Sequence, residues 1–270
     1  ALDANTTGPY NSAVGYQALT ANTTGERNVS IGMNTLEANT TGNHNTAVGQ
    51  GALNDNTTGS NNVAVGYGAL DANTTGGSNT AIGMAALTDN VDGEENVAIG
   101  RAALGANTGG SFNIAIGKGA MAANTTGGYN TAVGRLALDA NTTANYNTAI
   151  GYNSLGSNTT GQWNTAVGAH ALDNNTDGQT NSALGYQALT ANTGGDDNVA
   201  VGHEAMQSNT TGGQNVALGR DALTSNTTAS QNTAVGYLCM EDNTTGTRNV
   251  AVGAYALFNN TTNNDNTAVG

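Results

Sequence analysis

The tract Asn147-Thr148-Ala149-Ile150-Gly151 recurs in near-copies every 17 residues, from Asn11 to Gly270, without one insertion or deletion. Cut at that spacing from Ala1, the chain is fifteen complete repeats and a sixteenth of 15 residues, Ala256 to Gly270. So strict a register means that each repeat is one structural unit stacked on its copies. Numbering the repeat 1 to 17, positions 5 and 11 are Asn and position 15 is Gly in all sixteen. Position 2 is always Leu or Met, and position 14 is always Val, Ile or Leu. Position 13 is Ala except at Ser30, and position 6 is Thr except at Val91, whereas positions 9, 10, 16 and 17 vary freely.

Seventeen residues are too few for a helical hairpin repeat, which needs about 33 or more. The repeat is dense in Asn, Gly and Thr, which are poor helix formers. Gly does not recur every third residue, which excludes collagen. A disordered linker has no need of Leu and Val held in register. The fold class that remains is all-β: a parallel β-solenoid, or β-roll, of sixteen 17-residue coils. Residues 1–270 read as a single repetitive segment, expected to belong to a longer array. Each coil is expected to carry two short strands and two tight turns. At about 4.8 Å per coil, sixteen coils would stack into a rod of roughly 75 Å.

Alternation along a strand puts positions 12 and 14 on one face and 11, 13 and 15 on the other. β-branched residues suit a pleated packed surface, so 12 and 14 are expected inward. The expected core is then Leu2, Val14, Leu19, Ile31, Leu36 and Val48, with Val133→Asp disruptive near the middle. The opposite face, with Ala13, Gly15, Ala47, Gly49, Ala64 and Gly66, would be small, uncharged and suited to packing against another chain. Asn-Thr-Thr-Gly at positions 5 to 8 reads as a turn, with Gly at 8 permitting a positive φ.

Twelve of the sixteen repeats carry an Asn-Thr-Thr glycosylation sequon, but Asn90, Asn107, Asn175 and Asn192 persist where the second Thr is lost. A buried ladder of stacked amides needs only the Asn. Asn5, Asn22, Asn39 and Asn56, with Asn11, Asn28, Asn45 and Asn62, are the expected structural ladders. The Thr column at position 6 raises an ice-binding surface as a lesser possibility. The two Thr of the motif are adjacent, however, and would point opposite ways on a strand. Phe112, Tyr129, Tyr146 and Trp163 share position 10 in consecutive repeats and form a candidate contact stripe.

A formal charge of -13 with six basic residues leaves no patch for a nucleic-acid partner. No apolar run is long enough for membrane insertion. Cys239 is the single cysteine and reads as a small buried residue. His44, His170 and His203 occupy three register positions, and His203-Glu204 lacks a second histidine at zinc spacing. Near-identical repeats offer no pocket of unique converging residues. No metal, cofactor or enzyme activity is therefore expected.

The phrase Asn-x-Ala-Val/Ile-Gly, as at Asn28 to Gly32, Asn96 to Gly100 and Asn113 to Gly117, resembles the head repeats of trimeric autotransporter adhesins and phage tail-fibre-like proteins. The resemblance implies a left-handed β-roll, often trimeric, on a cell or virion surface. It implies a role in attachment, with a host surface or glycan receptor as partner. The expected function is a structural extracellular fibre or adhesin segment giving reach and a repeated contact surface. A filament or matrix protein that associates with itself is the alternative, so homotrimer or filament are the expected assemblies.

Overall fold

A computed structural model describes all 270 residues. The chain is a parallel β-solenoid with one three-residue strand per coil and no helix. Packing divides it into two compact units, Ala1–Arg135 and Leu136–Gly270. The first holds eight strands, from Ser12–Val14 to Thr131–Val133, and the second eight more, from Thr148–Ile150 to Thr267–Val269. Each strand covers positions 12 to 14. Partners within a unit differ by one repeat: Ser12 faces Val29, Ala13 faces Ser30 and Val14 faces Ile31. The second expected strand does not form; positions 16 to 4 are a chain of turns.

Those turns depend on left-handed backbone. Position 2 has φ near +50° throughout, as in Leu19 (53°) and Met206 (51°). Position 10 behaves alike, as in Arg27 (56°) and Phe112 (61°), and so does position 17. Each such non-glycine residue costs roughly 1 kcal/mol or more. The cost is offset by a hydrogen bond between coils at each bend. Leu19 N–H donates to Thr35 O at 3.0 Å, Arg27 N–H to Pro9 O at 3.1 Å and Asn34 N–H to Tyr16 O at 2.9 Å. Position 15 has φ of 120° to 144°, a region essentially reserved for Gly.

The core reverses the expected facing of the strand. Ala47, Ala64 and Ala81 at position 13 are fully buried, packed in a coil whose other apolar occupants are Ala at position 1 and Leu at position 2. Leu19 and Leu36 are fully buried, and Leu2 is half-buried in the first coil. Val14 is 64% and Ile31 44% exposed, and Val48 is only half-buried. Position 14 therefore lies outside, and Val14, Ile31 and Val48 are not core. The reason is volume. One strand faces a turn across a narrow interior, Leu fills the space, and only a side chain as small as Ala or Ser is found opposite it. Ala13, Ala47 and Ala64 consequently form no outer face. Gly15, Gly49 and Gly66 pack along the stack instead: a Cβ on Gly49 would lie 2.6 Å from Gly66 O. The lone Ser at position 13 meets the lone Thr at position 1, with Ser30 Oγ 2.6 Å from Thr35 Oγ1.

Two buried amide columns complete the core. Asn22, Asn39 and Asn56 each donate Nδ2–H to Oδ1 of the Asn one coil earlier, the first of these being Asn5, at 2.8 Å. Each donates its other hydrogen to the position-8 carbonyl of its own coil, as Asn39 does to Gly42 at 3.1 Å. In the second column Asn28 Oδ1 accepts the Asn45 N–H at 2.9 Å, and Asn28 Nδ2 donates to Gly42 O at 2.8 Å. Asn11 and Asn62 repeat this arrangement.

Position 8 is thus a joint between two coils. Its glycines are outside the left-handed region, and space is what they supply: a Cβ on Gly42 would lie 2.4 Å from Gly59 O. Where Ala144 and Ala229 carry that Cβ, the Asn158–Asn141 and Asn243–Asn226 bonds lengthen to 3.2 Å. The Asn73–Asn56 bond, beside glycine, is 2.8 Å.

Candidate interaction surface

With alanine inside, the outer face of each strand is built from positions 12 and 14. Position 12 is Thr, Val, Ser or Ile, and no charged residue occurs at either position in sixteen coils. The exposed members include Ile82, Ile114, Ile116, Ile150, Leu184 (50%) and Val252. A three-residue strand about 10 Å long, repeated about every 4.8 Å, gives roughly 380 Å² of flat face per eight-coil unit. The largest contiguous apolar patch of a typical monomer is about 300–600 Å² and is often functional, and here the apolar column of position 14 runs beside a mixed Thr/Val column. In a chain of charge -13, two adjacent uncharged columns are a strong departure from a solvated strand.

Aromatic residues flank this face. The left-handed bend at position 10 turns those side chains outward. In the first unit Phe112 stacks on Tyr129 with centroids 4.8 Å apart and planes at 12°. In the second, Tyr146 stacks on Trp163 at 6.3 Å and 4°. On the other flank, positions 16 and 17 carry Tyr67, Tyr152, His170, Tyr186 and Tyr237, and His170 meets Tyr152 edge-on at 5.1 Å. Tyr186 lies 5.3 Å from the ring of His203.

The other residues singled out by sequence fall elsewhere. Cys239 is buried in the position-1 column, its Sγ 3.3 Å from Ala251 O, and burial pushes its thiol pKa up, so it is a poor nucleophile. The Thr hydroxyls of position 6 donate to the carbonyl of the next coil, as Thr23 Oγ1 does to Thr40 O at 3.0 Å. They serve the stack. The coil also brings Asp221 beside His203 and Glu204, a group that sequence spacing did not reveal. His203 Nδ1 lies 3.8 Å from Asp221 Oδ1, and Nε2 lies 3.8 Å from Glu204 Oε1. These three could hold a metal ion, but the Arg220 guanidinium at 3.1 Å already engages Asp221 Oδ2. No helix is long and apolar enough to cross a membrane.

Comparison with known proteins finds no matching family profile and no matching curated protein.

Proposed function

We propose that this chain is a structural segment of an extracellular fibre or adhesin, acting by stacking a repeated contact surface and packing against further copies of itself. The observation that carries this reading is the face of positions 12 and 14, uncharged in every coil and β-branched in most. Its roughly 380 Å² per unit is about half of what one partner contributes to a standard interface. The flanking aromatics at positions 10 and 16 supply further area of the kind enriched at interfaces. A second copy matches this surface because the same period runs through both, so contacts repeat coil by coil and add as in a multivalent interaction. The resemblance to adhesin head and tail-fibre repeats supports attachment at a cell or virion surface as the setting. The self-packing face is the Thr/Val–Ile/Leu face; the Ala and Gly columns first expected in that role are interior or stack along the coil axis.

Sedimentation velocity on the wild type and on Val65→Asp/Ile82→Asp tests this reading. Both side chains point outward, so the variant should keep its circular dichroism and sediment as a 26.8 kDa monomer, whereas the wild type should associate. A wild type that stays monomeric at high micromolar concentration would overturn the self-packing reading. Ice shaping at micromolar protein would instead favour the ice-binding alternative, to which the mixed Thr/Val column at position 12 lends the only remaining surface.

A further inference from the structure

Five buried side-chain polar atoms have no hydrogen-bond partner, and three of them, Asn34 Oδ1, Asn54 Oδ1 and Asp71 Oδ1, belong to residues that line one recess. It has a volume of about 270 Å³ and is walled on one side by Tyr67. It exists because position 17 is Gly in two successive coils, Gly51 and Gly68.

The chain itself shows what this place holds when filled. Asp173 occupies position 3 of its repeat, the same register position as Asp71. Position 17 there carries Asn153, 20 residues earlier, and His170, 3 residues earlier. Asn153 Nδ2 donates to Asp173 Oδ1, and His170 Nδ1 lies 2.8 Å from Asp173 Oδ2. The residues at the same offsets from Asp71 are Gly51 and Gly68. Asp71 thus keeps the acceptor and has lost both N–H donors, leaving open space where they would stand.

We propose that this recess binds a primary ammonium group, such as a lysine side chain of a partner. The three unpaired acceptor oxygens carried by the residues lining the recess match in number the three N–H donors of an ammonium. Tyr67, also on the lining, is of a residue type that attracts cations. No Lys or Arg lines the recess. Burial, then the neighbouring carboxylates Asp55 and Asp89, raise the pKa of Asp71, so the site is short of positive charge. The inference is independent of the self-packing face.

The test is a ligand-observed NMR titration of the full chain with Nα-acetyl-lysine methylamide, with the arginine and norleucine analogues and calcium chloride as comparators. The lysine probe should bind saturably at one site. Gly51→Asn/Gly68→His should weaken it by about tenfold or more by refilling the recess. That variant should fold, because a Cβ on Gly51 meets Asp71 Oδ1 at 3.7 Å, one on Gly68 meets nothing within 4 Å, and both backbones are left-handed like their non-glycine counterparts. Asn153→Gly/His170→Gly should leave the stoichiometry at one, because the counterparts of Asn34, Asn54 and Tyr67 around Asp173 are Leu136, Gly156 and Ala169, which supply neither the two further acceptors nor the ring. No saturable binding, equal binding of the arginine or norleucine probe or of calcium, or binding unchanged by refilling would each overturn the proposal.

Discussion

Asn73→Ala removes one member of the position-5 ladder and should be among the most damaging single substitutions in the first unit. Asn73 is fully buried. Its Nδ2 donates to Asn56 Oδ1 at 2.8 Å and to Gly76 O at 2.9 Å, and its Oδ1 accepts from Asn90 at 2.8 Å. Three bonds at about 1 kcal/mol each vanish, the buried Asn56 Oδ1 loses its Asn73 donor, and one Nδ2 hydrogen of the buried Asn90 loses its acceptor, the last two adding a further penalty of about 1–3 kcal/mol each. Gly76 O keeps the Asn62 donor at 2.9 Å, so nothing is added there. The expected loss is about 5–9 kcal/mol, concentrated in the coils that touch Asn73, because stability in a solenoid is close to a sum over neighbours. Thr75→Ala is the matched control. It destroys the same sequon, yet Thr75 is exposed, so it should cost less than about 0.5 kcal/mol. Native-state hydrogen exchange resolves the coils separately, which a single melting curve does not. Equal effects of the two substitutions, or protection at Thr57 and Val91 unchanged in Asn73→Ala, would refute the ladder as the source of stability.

Further outcomes follow from the same geometry. Gly76→Ala places a Cβ 2.4 Å from Gly93 O and should cost about 1–2 kcal/mol by denaturant unfolding, despite the entropy Ala removes from the unfolded chain. Ala144→Gly should shorten the 3.2 Å Asn158–Asn141 bond and slow amide exchange at Thr142 and Thr159. Asp71 has a folded-state pKa above 3.8, so the native state holds its proton more tightly than the unfolded chain. Its destabilising contribution therefore grows as pH rises through that window and is complete at neutral pH. Asp71→Asn should accordingly be more stable than the wild type at pH 7, with the difference shrinking in acid, as read from melts across pH. Secretion through a glycosylating host followed by intact mass should show no glycan on the inner coils, since both Nδ2 hydrogens of residues such as Asn39 are already donated in the buried ladder.

The 17-residue period conveys the coils, their parallel register and the inward position of Leu19 and Leu36, because stacking places like upon like. It also distinguishes Asn90 and Asn107, which persist without the second Thr, as ladder members. The facing of the strand reads wrongly from sequence because β propensity and hydrophobicity both favour Val and Ile inside, while the width of the coil decides in favour of Ala. The usable signal is exchange. Position 12 alternates freely between residues such as Thr46 and Val63, as an exposed site does, whereas position 13 never exceeds Ser30 in size. The left-handed Leu at position 2 has no signal of its own, since Leu has no preference for that conformation. At position 17, by contrast, Gly51, Gly68, Asn34 and Asn153 are residue types that tolerate such a bend. The recess at Asp71 becomes legible only once the coil has brought residues 20 apart in sequence into contact.

The reversed facing of the strand underlies both the core and the proposed surface, and thiol accessibility reads it directly. In a Cys239→Ala background, Ala81→Cys and Ile82→Cys place single thiols on adjacent residues of one strand. At dilute, unassociated protein, the thiol at position 82 should react with a maleimide at nearly the rate of a free thiol, and the thiol at 81 only as the chain unfolds. Rapid labelling at 81 with protection at 82 would contradict the account.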